Sequence, residues 1–365
     1  MGSEATVERW PAVAGLPRVV VRGGRREVFE ALGEEFRHQI ADLRAGALES
    51  WGPLVARAEG PARAVFGAVR ESSRRELPVE SGELGALAAG ADLPEDDLWA
   101  LNIRGDLGSD GTGCTDAVTF VAGVPVVAHN EDGGSDLVGR LALVTLDIDG
   151  DPAMTSVWYP GMLPSNAFVV TAAGLAFGMD HLPVVDALRE GVGRHLLARH
   201  AQRAPSGPEA LGRLGSIPCA GGFAFTVTDL ASGSVDVVET IAGSSASTSV
   251  TTGMTAAHTN HARVVPASHR REPVPQNWWL GESRTRLGRL EGLLSACGES
   301  PDDLLACMRH DGVRNRSEDL WTYVTALVDG VRRRVTLCGD GDVWSAPVED
   351  FARGLWGTSG SEGAR

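Results

Sequence analysis

The strongest constraint on the fold is a change of periodicity at residue 114. Before it, apolar residues recur at helical spacing; from Cys114 onward they fall into short runs separated by tight turns. In the first 113 residues, which read mostly as helix, Val28, Leu32, Phe36, Ile40 and Leu43 predict one apolar stripe on a helix starting near Arg26. A second helical stretch runs from about Leu54 to Val69, and Pro94-Glu95-Asp96-Asp97 places proline and acids where the helix of Leu98 to Leu101 begins. The later pattern predicts hairpins: Cys114 to Val121 with Val124 to His129 across Ala122-Gly123, and Ala167 to Thr171 with Leu175 to Met179. Phe223 to Thr228 pairs with Val235 to Glu239, and Trp321 to Val328 with Val331 to Leu337 across Asp329-Gly330. Helices are expected between them at about Val192 to Arg203, Arg284 to Cys297 and Pro301 to His310. Eight or more antiparallel strands with helices in separate blocks predict an α+β fold of two packed sheets covered by helices. One domain over residues 1–345 fits the length, with a Gly/Ser-rich tail, 354–365, expected to be disordered.

Composition removes whole classes of chemistry. The 33 basic residues are all arginine, which excludes lysine Schiff bases, lysine general bases and the P-loop lysine. A net charge of −15 with no basic run longer than Arg332-Arg333-Arg334 makes nucleic acid and anionic membranes poor partners. No apolar run reaches the roughly 18 residues of a membrane span, and the N-terminus carries Glu4 and Glu8 rather than a signal pattern, so a cytoplasmic protein is expected. The five cysteines show no C-x-x-C pair and the histidines only His258-Thr259-Asn260-His261 as a close pair, so neither a disulfide framework nor a metal site is expected. The sequence carries no cofactor motif. A small-molecule partner is the expectation, with the oligomeric state left open.

Gly113-Cys114-Thr115 lies between a glycine-rich loop, Gly105 to Gly113, and the first strong strand. A cysteine that begins a strand behind a cleavable loop can become an N-terminal nucleophile, using its freed α-amine, with an ordinary pKa of about 7.7–8.0, as base. Before cleavage the same thiol can attack the Gly113 carbonyl, where a residue without Cβ tolerates the geometry of attack. A buried packing cysteine is the plainer alternative. Asn130-Glu131-Asp132 ends the strand paired with this one, which brings Asp132 toward Cys114, and Asn260 offers an amide that can donate to an oxyanion. A turn at Asp132-Gly133-Gly134 and a loop-capping Asn260 are the structural alternatives. Tyr159, Phe168 and Trp278 or Trp279 are candidates for an apolar acyl site, or simply for core; Cys219, Cys297, Cys307 and Cys338 read as packing residues.

The run GCTDAVTF…GVPVVAHNED, preceded by LNIRGDL at Leu101 to Leu107, resembles the acyl-coenzyme A:6-aminopenicillanic acid acyltransferase family of N-terminal nucleophile hydrolases. The resemblance continues through Tyr159-Pro160-Gly161-Met162-Leu163-Pro164, Ala173-Gly174-Leu175, His258-Thr259-Asn260-His261, Pro275 to Trp278 with Ser283-x-x-Arg286, and the Trp321 to Leu337 hairpin. It implies a four-layer αββα sandwich and self-cleavage between Gly113 and Cys114 into associated chains 1–113 and 114–365. It also implies Cys114 as nucleophile, Asp132 positioning it and Asn260 serving the tetrahedral intermediate, with no cofactor. Relatives place an arginine before the C-terminal hairpin; of Arg309, Arg314 and Arg316, Arg314 is the choice here. Glu131, where penicillin-type members carry an aromatic, and Tyr-Pro-Gly-x-Leu-Pro look more like the branch of β-alanyl-amine hydrolases such as carcinine hydrolase. The expected activity is hydrolysis of a small N-acyl or β-alanyl amide through an acyl-enzyme. Alternatives are an N-acyltransferase, with a coenzyme A thioester as one acyl donor, and an unprocessed, non-catalytic binding homologue.

Overall fold

The computed structural model describes residues 4–47, 51–107, 113–165, 167–184, 186–266, 278–296, 298 and 300–356. Most of the Gly105 to Gly113 loop, Pro275 to Gln276, Cys297 and the last nine tail residues therefore lie outside the described residues, as do the side chains of Trp278 and Trp279.

The chain opens with a hairpin, β1 (Thr6–Val13) and β2 (Leu16–Gly23). This departs from the helical expectation for the first 113 residues: valines at 19, 20 and 21 are all buried, so the strand is covered on both faces and lacks the alternation that would mark it. The predicted stripe follows in α1 (Arg25–Glu35) and α2 (Arg37–Asp42), broken at Phe36, with Val28, Leu32, Phe36, Ile40 and Leu43 all buried. The stretch predicted as one helix is two, α3 (Trp51–Glu59) and α4 (Arg63–Glu76), separated by a turn containing Gly60-Pro61. After α5 (Pro78–Ala91), Pro94 caps α6 (Glu95–Asn102) as its sequence indicates.

The second half is strand-rich: β3 (Cys114–Val121), β4 (Val124–Gly133), β5 (Ala142–Ile148), β6 (Met154–Trp158), β7 (Val169–Thr171) and β8 (Leu175–His181). Helices α7 (Arg194–Gln202) and α8 (Gly207–Ser216) precede β9 (Gly222–Asp229), β10 (Ser234–Ile241), β11 (Ser244–Val250) and β12 (Ala256–His258). Then come α9 (Trp278–Ala296), α10 (Pro301–Met308), β13 (Trp321–Asp329), β14 (Arg334–Cys338), β15 (Val343–Pro347) and α11 (Val348–Arg353). All four predicted hairpins form. The last is looser than Asp329-Gly330 alone suggests: its second strand starts at Arg334, and Asp329 uses its carboxylate to accept the Arg332 N–H at 2.9 Å. Part of the expected tail is also packed, because Trp356 is buried beneath the Arg18 guanidinium, 5.0 Å from its ring centre.

Two sheets result. The larger runs β1-β2-β5-β6-β7-β8-β9-β10-β11, with β2 and β5 parallel, and the smaller β12-β3-β4-β13-β14-β15. The sheets face one another where β3 and β4 meet β8. Helices α1 and α8 pack on the larger sheet, α9 and α10 on the outer side of the smaller, giving the four-layer αββα sandwich. Among the described residues no helix is long and apolar enough to cross a membrane.

One turn fixes the register that matters. Ala122 and Gly123 both adopt positive φ, 51° and 81°, the geometry of a two-residue hairpin matching strand twist. That turn sets Glu131 opposite Cys114 and His129 opposite Asp116, while β12 on the other edge sets His258 opposite Asp116.

Candidate active site

Cys114 is the first residue of β3 and is buried. Because β12 runs antiparallel beside it with His258 opposite Asp116, the chain leaving β12 carries Asn260 to the start of β3. There the Cys114 N–H donates to Asn260 Oδ1 at 3.0 Å. A second donor fixes the identity of that oxygen: Arg286 Nη2 reaches it at 2.8 Å. The Asn260 amide nitrogen instead donates to the His181 carbonyl at 3.2 Å. The expected orientation, with this amide aimed at an oxyanion, is therefore not the one found; the Asn260 oxygen holds the Cys114 backbone nitrogen.

Arg286 is delivered by α9 and is fully enclosed. Its Nη1 donates to the Cys114 carbonyl and, at 2.6 Å, to Thr115 Oγ1, while Glu282 one turn earlier binds the guanidinium at 2.8 and 2.9 Å. Asp132 lies 3.7 Å from Nη1 and accepts from Asn315 Nδ2 at 2.8 Å. Asp132 thus reaches Cys114 through Arg286. Burial pushes its carboxyl up to about 7, against the pull of Arg286 and the bonds from Thr322 and Asn315. Gly113 closes the group: a Cβ there would stand 2.9 Å from Arg286 Nη2 and 3.5 Å from Asn260 Oδ1.

Strand alternation sends the thiol the other way, between the sheets. Cys114 and Asp116 share that face of β3, and His129 and Glu131 share it on β4. The His129 ring is bracketed, Nδ1 by Asp116 at 2.8 Å and Nε2 by Glu131 at 2.8 Å, and Tyr159 donates its hydroxyl to Glu131 at 2.5 Å. Cys114 Sγ, a His129 nitrogen and a Glu131 oxygen all lie within 4.8 Å of one another. Metal ions use groupings this tight, but both nitrogens of His129 face carboxylates and hydrogen bonds account for the cluster. Burial and the Glu131 charge push the thiol up, while His129 pulls it down. Burial alone would lower His129, yet Asp116 and its other polar neighbours, Glu131 and Cys114, raise it well above the ordinary range.

The pattern repeats at the edge of the same sheet, on β12, with carboxylates supplied by β8 and β10 of the larger sheet. His258 is held between Asp180 at 2.9 Å and Glu239 at 3.0 Å. The two brackets meet where Asp116, His129 and Asp180 come within 4.8 Å. Gly178 on β8 permits this, since a Cβ there would lie 2.0 Å from Asp116 Oδ1. His258 also lines an open cavity of about 400 Å³ shared with Val237, Met254, Arg263, Glu291 and Leu294.

The sequence pattern of the acyl-coenzyme A:6-aminopenicillanic acid acyl-transferase family matches residues 121–342, or 222 of the 365 residues. The chain belongs to this family. It is accordingly an enzyme, a hydrolase acting on amide bonds or an acyltransferase. No curated protein matches the chain in sequence. A solved structure, that of a mutant conjugated bile acid hydrolase from Clostridium perfringens, is similar at 12% identity over 65% of this chain and 94% of that one, with a TM-score of 0.45.

In this acyltransferase-family chain, the structure brings together Gly113, Cys114, Asp132 and Asn260. Arg314 is placed elsewhere, its guanidinium 3.5 Å from Asp311. The arginine that meets Cys114 is Arg286, from the Ser283-x-x-Arg286 motif, whose helical spacing after Glu282 was a signal available in the sequence. Of the acyl-site candidates, Tyr159 bonds Glu131 and Phe168 stacks 6.3 Å from His129, both buried. The bracketed histidines were less visible, although Cys114-x-Asp116 and His129-x-Glu131 put polar residues at alternate positions of otherwise apolar strands. Cys219, Cys307 and Cys338 are buried free thiols.

Proposed function

We propose that this enzyme is an autoprocessed cysteine amidohydrolase that cleaves a small N-acyl or β-alanyl amide through an acyl-enzyme on Cys114. The observation that carries the reading is the clamp on the Cys114 backbone: its N–H is held by Asn260, its C=O by Arg286, and Gly113 fits behind it where a side chain would collide. In the processing step Sγ bonds to the Gly113 carbonyl carbon, the Gly113–Cys114 C–N bond breaks, and the thiol proton ends on the departing nitrogen. Water then hydrolyses the thioester, freeing the Gly113 carboxylate and returning the thiol. The new α-amine takes the thiol proton in turnover and gives it to the leaving amine of the substrate. Asp132 holds Arg286, and Arg286 and Asn260 keep the nucleophile's main chain fixed. The family's description favours a second reading, capture of the acyl-enzyme by an amine rather than water.

The test is intact-mass measurement of the protein beside its Cys114→Ala variant. Fragments of 113 and 252 residues in the wild type alone support self-processing; a single intact chain, or full activity in Cys114→Ala, overturns it. Assay of N-acyl amides with and without an added amine then separates hydrolysis from transfer.

A further inference from the structure

A thiol enclosed in protein ionises only if a compensating positive charge is enclosed with it. The α-amine of an N-terminal cysteine takes the proton but belongs to the main chain, which here lies in the plane of the sheet, clamped by Asn260 and Arg286. The thiol points away from that plane into the layer between the sheets. The groups facing it there are Glu131 from β4, Asp116 from β3, Asp180 from β8 and the hydroxyl of Tyr159. All of these are neutral or negative. Arg104 lies beyond, 5.9 Å over the Tyr159 ring, and Arg286 with Asp132 occupies the opposite face of β3 and β4. His129 is the group in this layer built to be positive beside the thiol: both its nitrogens sit at 2.8 Å from carboxylates, and a ring with an acceptor on each nitrogen is an imidazolium.

We propose that His129, held as an imidazolium between Asp116 and Glu131, is the counter-charge that allows the buried Cys114 thiol to ionise. It acts as a positioning and electrostatic residue, not as the proton acceptor: the S–H proton leaves to the α-amine, and His129 keeps both of its own. The second bracket, Asp180–His258–Glu239, supports it by placing another cation behind Asp116 and Asp180. Without His258, His129 would be the one cation set against both of those carboxylates. The inference rests on Cys114 being the nucleophile.

The experiment follows the thiolate ultraviolet absorption band of the full-length chain against pH, taking the difference from Cys114→Ala so that only Cys114 is read. His129→Gln is expected to raise the midpoint by at least about one pH unit, a tenfold loss of thiolate at neutral pH. His129→Arg restores a fixed charge and is expected to bring the midpoint back toward wild type, which it would not do for a lost proton acceptor. An unchanged or lowered midpoint in His129→Gln overturns the proposal. Against misfolding of the variants, the His129 ring resonances are also followed in the unsubstituted chain. They are expected to be those of an imidazolium at neutral pH and to titrate differently in Cys114→Ala, whereas a neutral ring at that pH overturns the proposal. Failure of the functional reading would show separately, as an uncleaved wild type or an active Cys114→Ala, with the midpoints still measured.

Discussion

The two faces of the smaller sheet at Cys114 do different work with different residues. The helix-covered face holds the main chain, through Arg286, Asp132 and Asn315, with Asn260 at the edge. The inner face holds the thiol among Glu131, His129 and Asp116. The lesson is one of separation: the main chain of Cys114 and its thiol are surrounded by side chains on opposite sides of one strand, so either environment can be altered with the other left in place.

The comparison breaks hardest at Arg286. Arg286→Gln removes the donor to the Cys114 carbonyl and leaves Asp132 buried without its guanidinium partner. A loss of about 3–5 kcal/mol in urea unfolding is expected, with Gly113–Cys114 cleavage slowed by about 100-fold or more on intact-mass time courses. The thiolate midpoint of Cys114 should move far less.

Asp132 gives the next effect and a pH signature. Its folded pKa of about 7 is raised above the ordinary carboxyl value, so its contribution to stability is full below pH ~4 and is lost as pH rises through about 7. Its hold on Arg286 requires the ionised form and therefore grows over the same window. Cleavage in the wild type should rise toward pH 7 while stability falls; Asp132→Asn should flatten both, with cleavage about tenfold slower at the plateau.

On the inner face the sign is that of a histidine gaining partners. Burial alone would lower His258, but Asp180 and Glu239 raise it to about 9. Its stabilisation is full below pH ~6.5 and is lost as pH rises through about 9. His258→Gln should destabilise on the order of a few kcal/mol at pH 7 and remove the fall in melting temperature between neutral and alkaline pH, with little change in cleavage rate at a pH where the variant remains folded.

Gly178→Ala is a smaller probe of the same face. Its Cβ would intrude to 2.0 Å from Asp116 Oδ1, costing about 1–3 kcal/mol and shifting the His129 resonances. Smallest is Gly113→Ala, where the new Cβ would stand 2.9 Å from the tip of the Arg286 side chain, which must shift to make room. A severalfold slower cleavage with an unchanged melting temperature is expected.

Much of the fold was legible. The stripe from Val28 to Leu43, the Pro94 start of α6 and the four hairpins follow from local periodicity and turn chemistry, and each is found, with boundaries moved by a few residues. The β1–β2 hairpin was missed because its second strand is buried on both faces and shows no alternation. The chemistry of Gly113-Cys114, Asp132 and Asn260, joined by the family resemblance, led to these residues, and the structure gathers them around one backbone. Arg314 and Arg286 show where a linear reading stops: the resemblance, which places an arginine before the final hairpin, favoured the first, whereas α9 packs beside β12 and delivers the second to the start of β3.

The sequence by itself determined the hairpin that starts at Cys114, because Ala122-Gly123 admits one tight turn and that turn alone places Glu131 opposite Cys114. Only the tertiary structure decided the rest of the site. Asn260 comes from 146 residues away along an edge strand, Arg286 from 172 residues away on a covering helix, and Asp180 from the other sheet. Those meetings depend on how helices and sheets bury their apolar faces against one another, a property of the whole packed sandwich and not of any local run of residues.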